Sequence, residues 1–183
     1  MKRILILFLV TFIYSANIFS FSVKKMLSNK SQRAVDNRII KSLNNTIRRN
    51  RINATLYRTR GGVALRFKGK VLFRFGSYRL LRRAKHNLNK IAGTLRYLRR
   101  KYPFIRFQCL GHSDYVGRRR QKYLFSVRRA AAVANYLIYK GIRRNKVSYK
   151  GLSDRYPIDR RRSAYARAKN RRVEIIIITK VRR

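Results

Sequence analysis

The chain has 183 residues, with 49 Lys and Arg against five Asp and Glu, a formal net charge of +44. A field of that size draws polyanions to the surface and opposes compaction by self-repulsion, so an anionic partner or counter-ion atmosphere is expected. Yet 45% of the residues are hydrophobic, with 12 Tyr and 10 Phe; this excludes a disordered basic tail and fits one globular domain with extensions.

At the N-terminus, Lys2 and Arg3 precede an apolar run from Ile4 to Tyr14, followed by small and polar residues. Residues 1–20 therefore read as a secretory signal peptide with a cleavage position after Ala16 or Ser20. The competing reading is an uncleaved anchor from Ile4 to Phe21, interrupted by Thr11, Ser15, Asn17 and Ser20. No Cys lies in this segment, which excludes acylation of a lipoprotein cysteine. Residues 21–51 read as a basic spacer with one short helix, capped by Asp36 and carrying Ile39, Ile40, Leu43 and Ile47 at helical spacing.

From residue 52 onward the pattern is that of a domain. Ala54 and Leu56, the Gly61-Gly62 turn, and Val63, Leu65 and Phe67 predict a hairpin. VLFRF (71–75) predicts a further short strand or a continuation, closed by Gly76-Ser77. Leu80, Leu81, Ala84, Leu88, Ile91, Ala92, Leu95 and Leu98 predict an amphipathic helix to about Lys101, with Pro103 as a stop. Phe104 to Leu110 reads as a strand. It holds the chain's one cysteine, Cys109, expected as a small core residue without a disulfide. A second long helix lined by Leu124, Val133, Tyr136 and Leu137 ends at Gly141. Lys146 to Gly151 is a short strand and Tyr156 to Lys169 an Arg-rich loop. Arg172 to Val181 is a closing strand, whose isoleucine run implies burial on both faces. The order βαβαββ over residues 52–183 defines an α/β (α+β) domain, a sheet with helices packed on it.

Six segments, VLFRFGS (71–77), GHSDYVG (111–117), FSVRRA (125–130), KGI (140–142), YKGLSDRYPI (149–158) and RAKNRRVEI (167–175), fall in the order and spacing of a known family. From about Arg51 to Val181 the chain resembles the OmpA-like C-terminal domain, the peptidoglycan-associating module of OmpA and Pal-type envelope proteins. The resemblance implies a mixed sheet, and it implies that Asp114 and Arg129 hold the free end of diaminopimelate in a peptide stem. That end carries an ammonium and a carboxylate on one carbon, to which an acceptor carboxylate and a forked guanidinium are complementary. Ser113 and Lys122 complete the implied ligand set. Arg74 stands where relatives often carry Asp, and Lys122 where they usually carry Asn; the lysine can contact a stem carboxylate, but it can also repel the stem ammonium and compete for Asp114.

The implied function is a non-catalytic envelope protein of the periplasm or outer membrane that tethers envelope to peptidoglycan. The alternative is a basic binder of anionic envelope polymers (lipopolysaccharide, teichoic or nucleic acid) on the same scaffold; export argues against nucleic acid. Other readings of the same residues stand beside these. Asp114 suits a turn cap or internal counter-ion, and Arg129 a buried pair with Glu174. Glu174 is expected to be neutralised by Arg171 and Arg172, and His112 to be a satisfied strand-end histidine. Arg118 to Arg120 and Arg160 to Arg162 suit solvated loops or an anion-binding surface. No motif sets an acid beside a base, and the sequence suggests no metal, cofactor or small-molecule substrate.

Overall fold

The computed structural model describes residues 30–180, so the signal-peptide reading of residues 1–20 lies outside it. Among the described residues no helix is long and apolar enough to cross a membrane. Residues from Asp36 onward form one compact unit. Helix α1 (30–49) precedes a hairpin of β1 (Thr55–Thr59) and β2 (Gly62–Lys68). Then come a single helical turn α2 (Gly69–Leu72), α3 (Arg82–Lys101), β3 (Arg106–His112), α4 (Arg119–Tyr139), β4 (Val147–Gly151), α5 (Ala164–Asn170) and β5 (Arg172–Ile178).

The strands form one mixed sheet in the order β1-β2-β5-β3-β4, with β3 and β4 parallel and the other pairs antiparallel. Parallel neighbours require a crossover, and α4 supplies it. The isoleucine strand β5 lies in the middle, where Val173, Ile175 and Ile177 on one face are fully buried; on the other face Ile176 and Ile178 are half-buried, so burial on both faces, expected from the apolar run, is complete on one face only. Fully burying a side chain of this size contributes about 1.5–3 kcal/mol. Cys109 is a core residue, and burial pushes its thiol up to about 12.

Three local expectations are corrected. Asp36 is not a helix cap: α1 already runs through residue 30. The Asp36 carboxylate is buried instead and accepts a 2.7 Å hydrogen bond from the Thr179 hydroxyl just after β5, while Ile39 and Leu43, one turn and two turns on, are fully buried. VLFRF is not a strand. The Gly69 amide donates to the Arg171 carbonyl, the chain turns into α2, and only Phe73 makes an isolated bridge, to Leu80. Finally, the Arg-rich segment before β5 contains α5. Ser163 caps it by accepting from the Ala166 amide at 3.1 Å, and Asn170 closes it by accepting from the Ile158 and Asp159 amides.

The loops that carry the site are fixed by the approach of α4 to β3 and β4. A Cβ on Gly111 would stand 2.0 Å from the Ser126 carbonyl oxygen, and one on Gly151 would stand 2.5 Å from the Ser126 hydroxyl. The Ser126 hydroxyl donates to the Tyr123 carbonyl and accepts from the Ser153 amide, and the Ser153 carbonyl accepts from the Ser113 amide at 2.9 Å. Gly111→Ala and Gly151→Ala each force α4 off the sheet through backbone clashes. Each should lower the unfolding free energy by about 3 kcal/mol, as read from urea melts, whereas Gly61→Ala, with open space around its Cβ, should not.

Candidate functional site

An open cavity of about 640 Å³ lies where the loop after β3 meets the N-terminal half of α4 and the chain between α5 and β5. Crevices of this kind, beyond the carboxyl end of a strand, are common ligand sites, and the volume is in the range of small-molecule pockets. The cavity is lined by all four residues of the implied ligand set, Ser113, Asp114, Lys122 and Arg129, with Phe75, Phe125, Arg167 and Arg171 around them.

Asp114 is 8% exposed. Its Oδ1 accepts from the Val116 amide at 3.2 Å, and its Oδ2 forms a 2.6 Å ion pair with Arg171 Nη1. The turn role and the internal counter-ion role are therefore both real features of this carboxylate. Arg129 projects from α4 between the rings of Phe73 and Phe125, 5.5 and 5.7 Å from their centroids, and its Nε donates to the Ser77 carbonyl at 3.0 Å. Burial lowers its pKa and Arg171 adds repulsion, against the attraction of Asp114. Its terminal amino groups make no hydrogen bond among the described residues. A half-buried guanidinium with open donors, beside a second guanidinium, is set up to take a carboxylate.

Ser113 adds a buried hydroxyl at the same wall, with no hydrogen-bond partner among the described residues. Orphaned buried polar atoms are uncommon, and one lining a cavity is available to a ligand. Lys122 lines the cavity with its chain, but its ammonium is held by Asp154 and by the Tyr115 carbonyl at 3.2 Å. Its charge is thus locally balanced, which weakens both its repulsion of an incoming ammonium and its competition for Asp114. Arg74 is exposed.

Arg171 is the residue that sequence reasoning missed, having been assigned to Glu174. In a strand the side-chain period is two, so Arg172 and Glu174 share a face and Arg171, one residue before them, does not. That parity was the available signal. Glu174 is held instead by Arg66 at 2.9 Å and Arg172 at 2.8 Å, and Arg129 does not reach it. His112 corrects another expectation: it is 2% exposed, but neither ring nitrogen has a hydrogen-bond partner among the described residues, and Nε2 is 3.8 Å from Glu174 Oε2. Burial lowers the histidine's pKa. For Glu174, burial alone raises the carboxyl pKa, but the hydrogen bond and charge of Arg172 at 2.8 Å outweigh it and hold the carboxyl well below the usual range.

No group of three or more His, Cys, Asp or Glu among the described residues is arranged to hold a metal. Geometry and charge define a class: an α+β domain with an open, cation-rich cavity and one carboxylate in its wall. Comparison with known proteins makes the class specific. The model of the OmpA family matches residues 72–171, and the chain belongs to that family. It is 40% identical over 70 residues to "Outer membrane protein A" of Bordetella avium, covering 38% of this chain and 36% of that one. It is 33% identical over 90 residues to "Peptidoglycan-binding protein ArfA" of Mycobacterium tuberculosis, covering 49% and 26%. Among solved structures, the cell wall anchor of the T6SS from Pseudomonas aeruginosa superposes with a TM-score of 0.64 at 26% identity, over 78% of this chain and 97% of that one. The chain thus spans about a third or less of the length of these two curated relatives.

A depressed carboxyl stabilises the fold above its unfolded pKa and loses that contribution as pH falls through the folded value. Glu174 should therefore give full stabilisation above about pH 4.3 and progressively less below it. Glu174→Gln, which leaves Arg172 buried without its counter-ion, should lower stability at pH 7 by about 3–5 kcal/mol. It should also flatten the acid limb of the stability curve, measured by denaturant melts from pH 7 down to pH 2.

Proposed function

We propose that the protein is a non-catalytic envelope component that binds peptidoglycan through this cavity, with the diaminopimelate end of a stem peptide as ligand. The carrying observation is the placement of Asp114 beside the open guanidinium of Arg129. In this reading the ammonium of the ligand approaches the free lone pairs of Asp114, and its carboxylate is taken by Arg129 and Arg171. Ser113 supplies a further hydrogen bond and Phe75, 92% exposed, forms the rim. One carboxylate against two guanidiniums leaves a surplus positive charge, which favours a ligand with more carboxylate than ammonium. The names of relatives, an outer membrane protein, a peptidoglycan-binding protein and a cell wall anchor, support this assignment and a location in the periplasm or at the outer membrane.

A second reading has its own observation. The five carboxylates of the chain all lie within 4.0 Å of a cationic side chain, and many of the other described cations face solvent without an acidic side chain to screen them. Arg118 to Arg120, Arg160 and Arg162 are exposed examples. Such a surface attracts any anionic polymer of the envelope, with counter-ion release and a steep salt dependence.

The two modes separate in a sacculus pull-down across salt concentrations. Retention should have a steep component, removed by neutralising Arg118 to Arg120, Arg160 and Arg162, and a shallow one. Asp114→Ala and Arg129→Ala should each weaken the shallow component about tenfold, the effect of one charge-assisted contact, with thermal melts confirming a folded domain. Uniformly steep retention, unchanged by Asp114→Ala, would assign the protein to the second reading alone.

A further inference from the structure

A second cavity, of about 510 Å³, lies along the seam of α1 and α3 and is bordered by Asn45, Thr46, Arg49, Asn89, Lys90 and Gly93. Asn45, Arg49, Asn89 and Lys90 are exposed along this seam, and two features mark it. Its border carries amides, hydroxyls and cations with no carboxylate, and none of the ion pairs formed by the chain's five acids involves Arg49 or Lys90. The second feature is Gly93, in the interior of the 20-residue helix α3, where a Cβ would meet nothing within 4 Å. Glycine there weakens the helix relative to alanine, and no neighbour in the fold requires it. What glycine provides is a bare stretch of backbone on the groove floor, which the Thr46 and Thr94 hydroxyls, 2.7 Å apart, hold between the two helices.

We infer that this groove is a binding site for an anionic amino sugar. Asn45 and Asn89 offer donors and acceptors to the hydroxyl and N-acyl groups of such a ring. Arg49 and Lys90 take its carboxylate or phosphate, and Gly93 lets the ring approach the helix closely. The choice of sugar rests on the envelope reading above, since a muramyl carboxylate and a phosphorylated glucosamine are the two sources of this chemistry. The groove is separate from the Asp114 cavity. Arg96 at its edge bonds the Lys140 carbonyl at the C-terminal end of α4, whereas the Asp114 cavity uses the N-terminal half of that helix, about 30 Å long in all.

The test is an amide chemical-shift titration of the full chain at about 0.15 M salt, where long-range attraction is screened. The probes are N-acetylmuramic acid, N-acetylglucosamine 6-phosphate, neutral N-acetylglucosamine and inorganic phosphate. One or both acidic sugars should shift amides in residues 42–50 and 89–96 at roughly millimolar concentration, the range of a small ligand with few contacts; the tighter of the two identifies the source. The double variant Arg49→Gln/Lys90→Gln should weaken that sugar about fivefold or more, and Asp114→Ala should leave it unchanged. Gly93→Ala should raise the melting temperature by about 4 °C yet weaken the sugar, a split that a purely structural glycine does not produce. Absent shifts, equal binding of the neutral sugar, or equal binding of inorganic phosphate would each overturn the site. If the groove fails while Asp114-dependent retention on sacculi persists, the stem-peptide reading stands without it.

Discussion

Five carboxylates serve a chain with 49 Lys and Arg, and the structure depends on where those five are placed. Glu174 joins Arg66 of β2 to Arg172 of its own strand in the middle of the sheet. Asp36 ties α1 to the residue that follows β5. Asp114 anchors the loop after β3 to Arg171, Asp154 anchors the loop after β4 to Lys122, and Asp159 organises the turn before α5 through Arg161 and Lys169. Each is at a junction between chain segments, and three of them, Asp36, Asp114 and Glu174, are buried. Removing one partner of a buried pair leaves an uncompensated charge, which is far more damaging than losing an exposed pair. The same arrangement explains the surface: with every acid engaged internally, the remaining cations repel one another and attract anions from outside.

The candidate site follows from that scarcity. Asp114 is both a structural counter-ion, through Arg171, and the one carboxylate lining the cavity. Its position is set by backbone contacts: Ser113 is bound to Ser153, Ser153 to Ser126, and α4 sits on Gly111 and Gly151. Arg129 lies on the next turn of α4 after Ser126, so the helix that fixes the loop also delivers the guanidinium. The spacing of GHSDYVG and FSVRRA thus has a direct physical meaning, since the loop and the helix face it must meet are locked by one serine.

Much of this was legible before the structure. Period-two and period-3.6 apolar patterns located the hairpin, the long helices α3 and α4 and the central isoleucine strand, but read α1, which runs over 30–49, as a short helix in a spacer; the motif segments pointed to Asp114 and Arg129, which line one cavity. What failed did so for local reasons. VLFRF has the composition of a strand, but β2 already ends at Lys68, where the chain leaves the sheet through the Gly69 bond to Arg171. α5 has one fully buried apolar residue, Ala166, in a basic segment, too little for a periodic signal, although Ser163 was a legible cap. The roles of Arg171 and Lys122 depend on partners far along the chain, Asp114 and Asp154, and a formal charge count does not reveal which cations those acids neutralise.

The central claim is that the Asp114, Arg129 and Arg171 cavity reads an ammonium and a carboxylate on a single carbon. A titration with a short stem peptide containing diaminopimelate, against the same peptide with lysine in its place, tests it most directly. The account predicts amide shifts centred on residues 113–117 and on Arg129 and Arg171, with the lysine peptide at least about tenfold weaker because it lacks the carboxylate that the guanidiniums bind. Equal affinity for the two peptides, or shifts confined to the exposed arginine loops, would contradict it.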